Sequence, residues 1–445
     1  MLAAWVGWAI FVLLIALYAV VVFVLYRQGR LGPDRALSLL GPLLMTKTQR
    51  GLGLLDRLGR FKRFWSGLSD LGLFLAGAAM LLIVATLAVE AVLVLGIGAS
   101  RAPTPAEAVG LPGLNPFIPL GYGLVAIVIG IVIHEMFHGI VARSQQIGVK
   151  SVGVLWFVVP VGAFVEQDDA QMQAASRRSR DRVAAAGVLA NFLIALVTFL
   201  LLGLVVTTSL SAQAPGVGLL DVVSGTPAAA LGLHPGDIIT QLNGTATTTN
   251  TLFLNILDAS HPGQVMSITW WSSATGQDHT GVVTLAASPY YKDRGFLGVE
   301  PSYVAPAGLL TTMAAPWAST SGAFTGFLTW IVLPPASASP ISGTSAIFFR
   351  ATGPLAALGI GNVLILVNLL YWLTWMNLLL GLSNALPLIP LDGNLLFRDW
   401  VSSVASRFRK GWTAAQLEQF SGQMTVAASL IIVFLLLWQF VGPRL

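Results

Sequence analysis

His134-Glu135-Met136-Phe137-His138-Gly139 closes an otherwise uncharged apolar run that begins near Pro116. Residues four apart share one face of a helix, so the imidazoles of His134 and His138 can converge on one ion while Glu135 reaches a water bound to it. This spacing is the HExxH pattern of zinc sites. Ionisable groups inside a membrane are expensive and by default functional; the structural alternative is a pair of membrane-interface histidines beside a snorkelling glutamate. Only five histidines occur in 445 residues, so two of them at helical spacing is not a by-product of abundance.

Apolar residues make up 55% of the chain and charged residues 10%, and the mean hydropathy is +0.79. An ordinary globular domain carries about a quarter charged residues, so the composition implies a polytopic α-helical membrane protein whose first partner is the lipid bilayer. Cysteine is absent. Disulfides and thiolate ligands are therefore excluded, and any metal must be held by histidine and carboxylate, which suits zinc. The net charge of +5 does not indicate nucleic acid, because the basic residues cluster beside apolar segments, as expected where loops face anionic lipid. The first apolar run lacks a basic leader and a small-residue cleavage site, and reads as a retained helix rather than a removed signal peptide.

Apolar runs of about 18 residues or more are candidate spans. Six are predicted, at 2 to 26, 71 to 98, 116 to 142, 183 to 210, 355 to 383 and 424 to 441. The loop between the first two holds nine Lys and Arg, the segment 143 to 182 six, and 398 to 411 four, which places 19 of 24 basic residues on one side. The positive-inside tendency makes that side cytoplasmic and puts both termini outside. His134 then lies roughly 22 to 27 Å below the outer boundary, at 1.5 Å per residue. That is near the cytoplasmic side of a hydrocarbon layer about 30 Å thick. The segment 301 to 349 is uncharged but broken by Pro306, Pro316, Pro334, Pro335 and Pro340, and is predicted to be interfacial or re-entrant.

The β-branched and aromatic run from Val152 to Val165, punctuated by Gly and Pro, predicts a short hairpin. It either dips into the membrane against the metal helix or serves as a structural cytoplasmic hairpin. Residues 213 to 300 change character, with returning charges and short Thr- and Val-rich strands, and are predicted to form a soluble insert. A third metal ligand is sought at the depth of the histidines. Asn384-Ala-Leu-Pro-Leu-Ile-Pro-Leu-Asp392-Gly393 offers a carboxylate where Pro387 and Pro390 disfavour helix; the alternative is a Pro-rich helix exit capped by ordinary Asp-Gly turn chemistry. Asn191, four residues after Gly187 and about 12 Å into its span, either binds a substrate carbonyl or glues helices together.

These motifs and their order resemble the site-2 protease family of intramembrane zinc metalloproteases. The resemblance covers about 116 to 210 and 355 to 396. It implies one Zn2+ ion on His134, His138 and Asp392, Glu135 as general base, and Asn191 and Asn384 as substrate-positioning residues. The insert resembles a PDZ domain, in its Gly225-Thr-Pro-Ala228 helix start and its Gly232-Leu-His-Pro-Gly-Asp-Ile-Ile239 turn. Its stretch Phe296-Leu297-Gly298-Val299 looks like a carboxylate-binding loop that would hold a peptide C-terminus; a plain Gly-rich turn is the other reading. The expected organisation is two N-terminal helices with a basic cytoplasmic loop (1 to 100), a first core half (116 to 212), the PDZ-like domain (213 to 300), an interfacial segment (301 to 354), a second core half (355 to 396), and a cytoplasmic loop with a last helix (397 to 445). The implied function is regulated intramembrane proteolysis of single-span membrane proteins in a prokaryotic cell membrane, with the PDZ-like domain extracytoplasmic and the active site near the cytoplasm. The competing functions are a metal transporter or sensor, and an inactive relative that only binds membrane proteins.

Overall fold

In hydrocarbon every backbone polar group must be satisfied within its own segment, so the long apolar runs fold as helices. The computed structural model describes residues 2–32, 35–96, 98, 102–108, 110–302, 305–310 and 346–445. Its helices are α1 (Leu2–Arg27), α2 (Leu52–Gly59), α3 (Lys62–Leu93), the single turn α4 (Pro105–Ala108), α5 (Leu120–Ser144), α6 (Asp169–Ala174), α7 (Arg177–Ser209), α8 (Pro227–Leu231), α9 (Asn250–Asp258), α10 (Gly359–Asn384), α11 (Asp392–Phe408) and α12 (Ala414–Val441). Among the described residues five helices, α3, α5, α7, α10 and α12, are long and apolar enough to cross a membrane, and Val12–Arg27 of α1 forms a shorter apolar stretch.

The chain divides into two compact units, one of residues 1–114, 123–196 and 373–445, the other of 115–122 and 197–372. Helices α7 and α10 run through both. In the first unit the face of α7 carrying Ala184, Ala185 and Val188 packs on Ala76, Ala79 and Met80 of α3 and on Ala385 and Leu396. Small residues permit this close approach where lipid gives no hydrophobic drive. The Asp70 carboxylate takes the guanidinium of Arg182 through two hydrogen bonds of 2.8 Å each, and Arg178 through another of 2.8 Å. Arg182 also donates to Gln145. The charged ends of α3, α5 and α7 thus meet, as the loop charges require.

The predicted hairpin is present as β3 (Val149–Phe157) and β4 (Val159–Gln167). It is not alone. The basic segment between the first two helices, read from sequence as a loop, contributes β1 (Leu37–Leu40) and β2 (Leu43–Thr48), which complete a sheet in the order β1-β2-β3-β4. Strand β2 pairs antiparallel with β3 from Leu44 opposite Trp156 to Thr48 opposite Val152. The Trp156 indole donates to Thr46 Oγ1 at 3.0 Å and Lys47 pairs with Glu166 at 2.9 Å. Burial pushes the Glu166 carboxyl up, but hydrogen bonds from Ser151 and Lys47 outweigh it and hold the group below its ordinary range. Tyr18 of α1 donates to the carbonyl of Pro42, and its hydroxyl accepts from Leu44 N–H. A second difference follows Asp392: residues expected as a loop form α11, whose first turn holds that carboxylate.

In the second unit β5 (Leu210–Ala212) and β14 (Phe349–Ala351) pair antiparallel. Between them lies a sheet in the order β10-β9-β7-β6-β13, with β8 on β7. Its strands are β6 (Val217–Val222), β7 (Ile238–Leu242), β8 (Thr245–Ala246), β9 (Val265–Trp271), β10 (Asp278–Thr284) and β13 (Val299–Pro301), with a small ladder of β11 (Ala286–Ala287) and β12 (Gly295–Phe296) beside it. Phe253 of α9 fills its core with Ile239, Leu242, Met266 and Ile268. The predicted re-entrant segment falls mostly at 311–345, outside the described residues.

Candidate metal centre

Helix α5 carries His134 and His138 one turn apart, both buried. Their Nε2 atoms lie 3.2 Å from each other. Oδ2 of Asp392, on the first turn of α11, lies 3.1 Å from the Nε2 of His134 and 3.2 Å from that of His138. That oxygen is buried and accepts no hydrogen bond, so the three atoms crowd together without satisfying one another. A tetrahedral zinc with bonds of about 2.0 to 2.1 Å has ligand-to-ligand edges of about 3.3 Å. The triangle fits that ion, and it is a group among the described residues able to hold a metal.

The surroundings fit equally. The Nδ1 of His138 lies 2.7 Å from the carbonyl oxygen of Val183; donating there leaves its Nε2 as the ligand, the usual way a backbone acceptor fixes a metal-binding imidazole. Gly187, one turn along α7, leaves space that the two rings occupy: a Cβ there would overlap His134 and His138. Asn191 follows after one more turn, almost wholly buried, with Nδ2 3.1 Å from His134 Nδ1 and Oδ1 without a partner. Glu135, beside His134 on α5, accepts from the Val165 N–H of β4 at 3.1 Å. Asn384 is the last residue of α10, half-buried, and makes no side-chain hydrogen bond among the described residues.

Asp392 is delivered by a chain that leaves α10, passes through Pro387 and Pro390, and folds back on itself. A Cβ on Gly393 would overlap the carbonyl oxygens of Ala385 and Leu386, so only glycine lets α11 start this close to the end of α10. The Ile389 N–H donates to Ser429 Oγ of α12 at 3.1 Å. A carboxylate in the first turn of a helix is favoured by its unpaired N–H groups. Sequence reasoning missed Val183, Val165 and Ser429. The first two act through backbone atoms, which leave no trace in residue type.

Phe296, Leu297, Gly298 and Val299 belong to the second unit. Leu297 is buried and its carbonyl accepts from Ala228 N–H, while that of Gly298 accepts from Val223 N–H, both at 2.9 Å. Gly298 has φ +86, and a Cβ there would overlap Thr226. Among the described residues the N–H groups of Leu297 and Gly298 have no acceptor.

Known proteins resemble this chain in part and in whole. PDZ domains of SdrC-like proteins from Listeria monocytogenes and Listeria innocua are each 24% identical to it; they cover 20% of this chain and 88% and 94% of their own lengths, with a TM-score of 0.18. A protein of Methanocaldococcus jannaschii, itself uncharacterised, is 26% identical over 406 residues, 90% of this chain and 88% of its own. The model of peptidase family M50 matches residues 122–430, a range that takes in α5, the hairpin, α7, α10, α11 and the metal triangle. The chain is a membrane protein that belongs to peptidase family M50, the site-2 protease family of intramembrane metalloproteases.

Proposed function

We propose that this protein is a zinc metalloendopeptidase that hydrolyses a peptide bond in or near the transmembrane segment of single-span membrane proteins, as in regulated intramembrane proteolysis. The observation that carries the reading is the convergence of His134, His138 and Asp392 beside a glutamate held in place by a neighbouring strand. The chemistry zinc supplies on three protein ligands is Lewis acidity, which brings the pKa of a water to about 7 and polarises the scissile carbonyl. Glu135 accepts the proton of the attacking water and returns it to the leaving amine. Val165 N–H, on one carboxylate oxygen, orients the other.

A helical substrate must unwind before attack, because its peptide groups are locked in internal hydrogen bonds. Strand β4 is at the edge of its sheet, and Val165 N–H leaves that edge toward Glu135. Ala163, two residues earlier in the strand, presents its polar groups on the same edge. An unwound segment added there as a strand passes the general base. Asn384, at the end of α10 and before the loop that delivers Asp392, contacts this segment. A cavity of about 590 Å³, lined by Arg180, Asp181, Asp399 and Ser402, also includes Ala184 and Leu395, which follow Val183 and Asp392 in the chain.

The joined charged ends of α3, α5 and α7 support a cytoplasmic position for this cavity, with both termini and the PDZ-like domain on the other side. There the Phe296 to Val299 loop takes the C-terminus of a peptide already cut outside the cell membrane. The decisive experiment is Glu135→Gln in purified protein with a single-span reporter. Cleavage falls by about 10² to 10⁴-fold while stoichiometric zinc is retained; undiminished cleavage rules Glu135 out as the base.

A further inference from the structure

Resting on the zinc reading above, we infer that Asn191 is a positioning residue for His134: its amide oxygen takes the Nδ1 proton and so fixes the ring with Nε2 free for the metal. Both Nε2 atoms face Asp392 Oδ2, at 3.1 and 3.2 Å. A neutral imidazole that gives one nitrogen to a metal carries its proton on the other, so both Nδ1 atoms must donate. His138 donates to the Val183 carbonyl at 2.7 Å. For His134 the atom at 3.1 Å belongs to the Asn191 amide. A carboxamide presents oxygen or nitrogen after a half-turn with little change of shape, and the hydrogen-bond network decides which. With nitrogen toward His134, the buried Oδ1 is left without a donor, and the cost of taking it out of water is not recovered. The half-turn gives Oδ1 the Nδ1 proton and turns Nδ2 away as a donor, a group that on a helix can bond the carbonyl one turn back. Asn362 and Asn377 of α10 do just that, donating to Leu358 and Leu373 at 2.9 and 2.8 Å.

Val183, Gly187 and Asn191 are four residues apart on α7 and therefore lie on one face. That face gives each imidazole an acceptor and leaves room for both rings between. Asn191 thereby acts on the metal ligand rather than on a substrate, and its burial agrees.

The test titrates purified full-length protein in detergent with zinc against a chromophoric chelator, for the wild type, Asn191→Leu and Asn191→Asp, with reporter cleavage read alongside. Leucine matches asparagine in bulk but offers no acceptor, and zinc affinity is expected to fall about 10- to 100-fold, the usual loss for an outer partner of a ligand. Aspartate keeps an acceptor against Nδ1 and is expected to stay within about threefold of wild type, as in carboxylate–histidine–zinc triads. Wild-type zinc affinity in Asn191→Leu overturns the proposal, and a raised KM in that variant with zinc unchanged hands the residue to the substrate. Where the leucine variant does not fold, the aspartate variant decides, since a fall of 10-fold or more there overturns the proposal too. A wild type that binds no zinc defeats the underlying metal reading instead, a result distinguishable from all the others.

Discussion

The two sides of the metal triangle are built by opposite means. The histidines sit on a regular helix, and their rings are placed by side-chain packing against a second regular helix, with Gly187 opening the space between. The carboxylate stands on the first residue of α11, directly after an irregular stretch, and is placed by backbone packing, Gly393 lying on the carbonyls of Ala385 and Leu386. A side chain that is crowded can tilt; a carbonyl that is crowded must take the chain with it. The histidine side is therefore tuned at the ligand atoms, and the aspartate side is tuned through the fold.

Removing either side's ligand has the largest effect. Asp392→Ala and His138→Ala each abolish stoichiometric zinc, measured by elemental analysis, and lower reporter cleavage by about 10³-fold, since the ion supplies several kcal/mol of transition-state stabilisation. An aspartate variant that keeps full zinc means the histidines suffice. The paired variants Gly187→Ala and Gly393→Ala come next. Overpacking costs about 1 to 3 kcal/mol, but at Gly187, inside α7, replacing a helical glycine returns about 1 kcal/mol, so Gly187→Ala is expected to appear mainly as about tenfold weaker zinc binding with only a small fall in unfolding temperature. Gly393→Ala is expected to lower both together. The same signature for both glycines erases the contrast. The smallest effect is that of Ser429→Ala, which deletes the hydrogen bond to Ile389 N–H and lowers stability by about 0.5 to 1.5 kcal/mol. Zinc affinity stays at the wild-type value if the loop is held chiefly by Gly393.

What could be read beforehand follows the same division. The spacing of His134 and His138 is a property of any helix, so residue types sufficed, and the apolar runs announced the long helices, although α3, α7 and α12 begin six to ten residues before their apolar runs do. The order of motifs brought Asp392 to the right neighbourhood, but that it opens a helix was hidden, because Pro390 and Asp392-Gly393 carry ordinary turn chemistry. Strands β1 and β2 were hidden for another reason: they are four and six residues long, contain Lys47, and pair through β2 with β3 more than 100 residues away. No local pattern reports such a partner. For Asn191 the choice between substrate and helix contact depended on which way its face of α7 turns, and that is fixed by Gly72 and Gly187 accepting bulky neighbours from other helices.

Because β5 and β14 run antiparallel with Leu210 opposite Ala351, the chain departs from the end of α7 and returns toward α10 through adjacent backbone. Nothing in such a junction records how much chain lies beyond it. The segment between can be shortened, exchanged for another module or removed with a tight turn in its place, and each replacement needs only two neighbouring ends to be joined. The M50 fold is in this sense a socket, open to a shorter or different insert between β5 and β14.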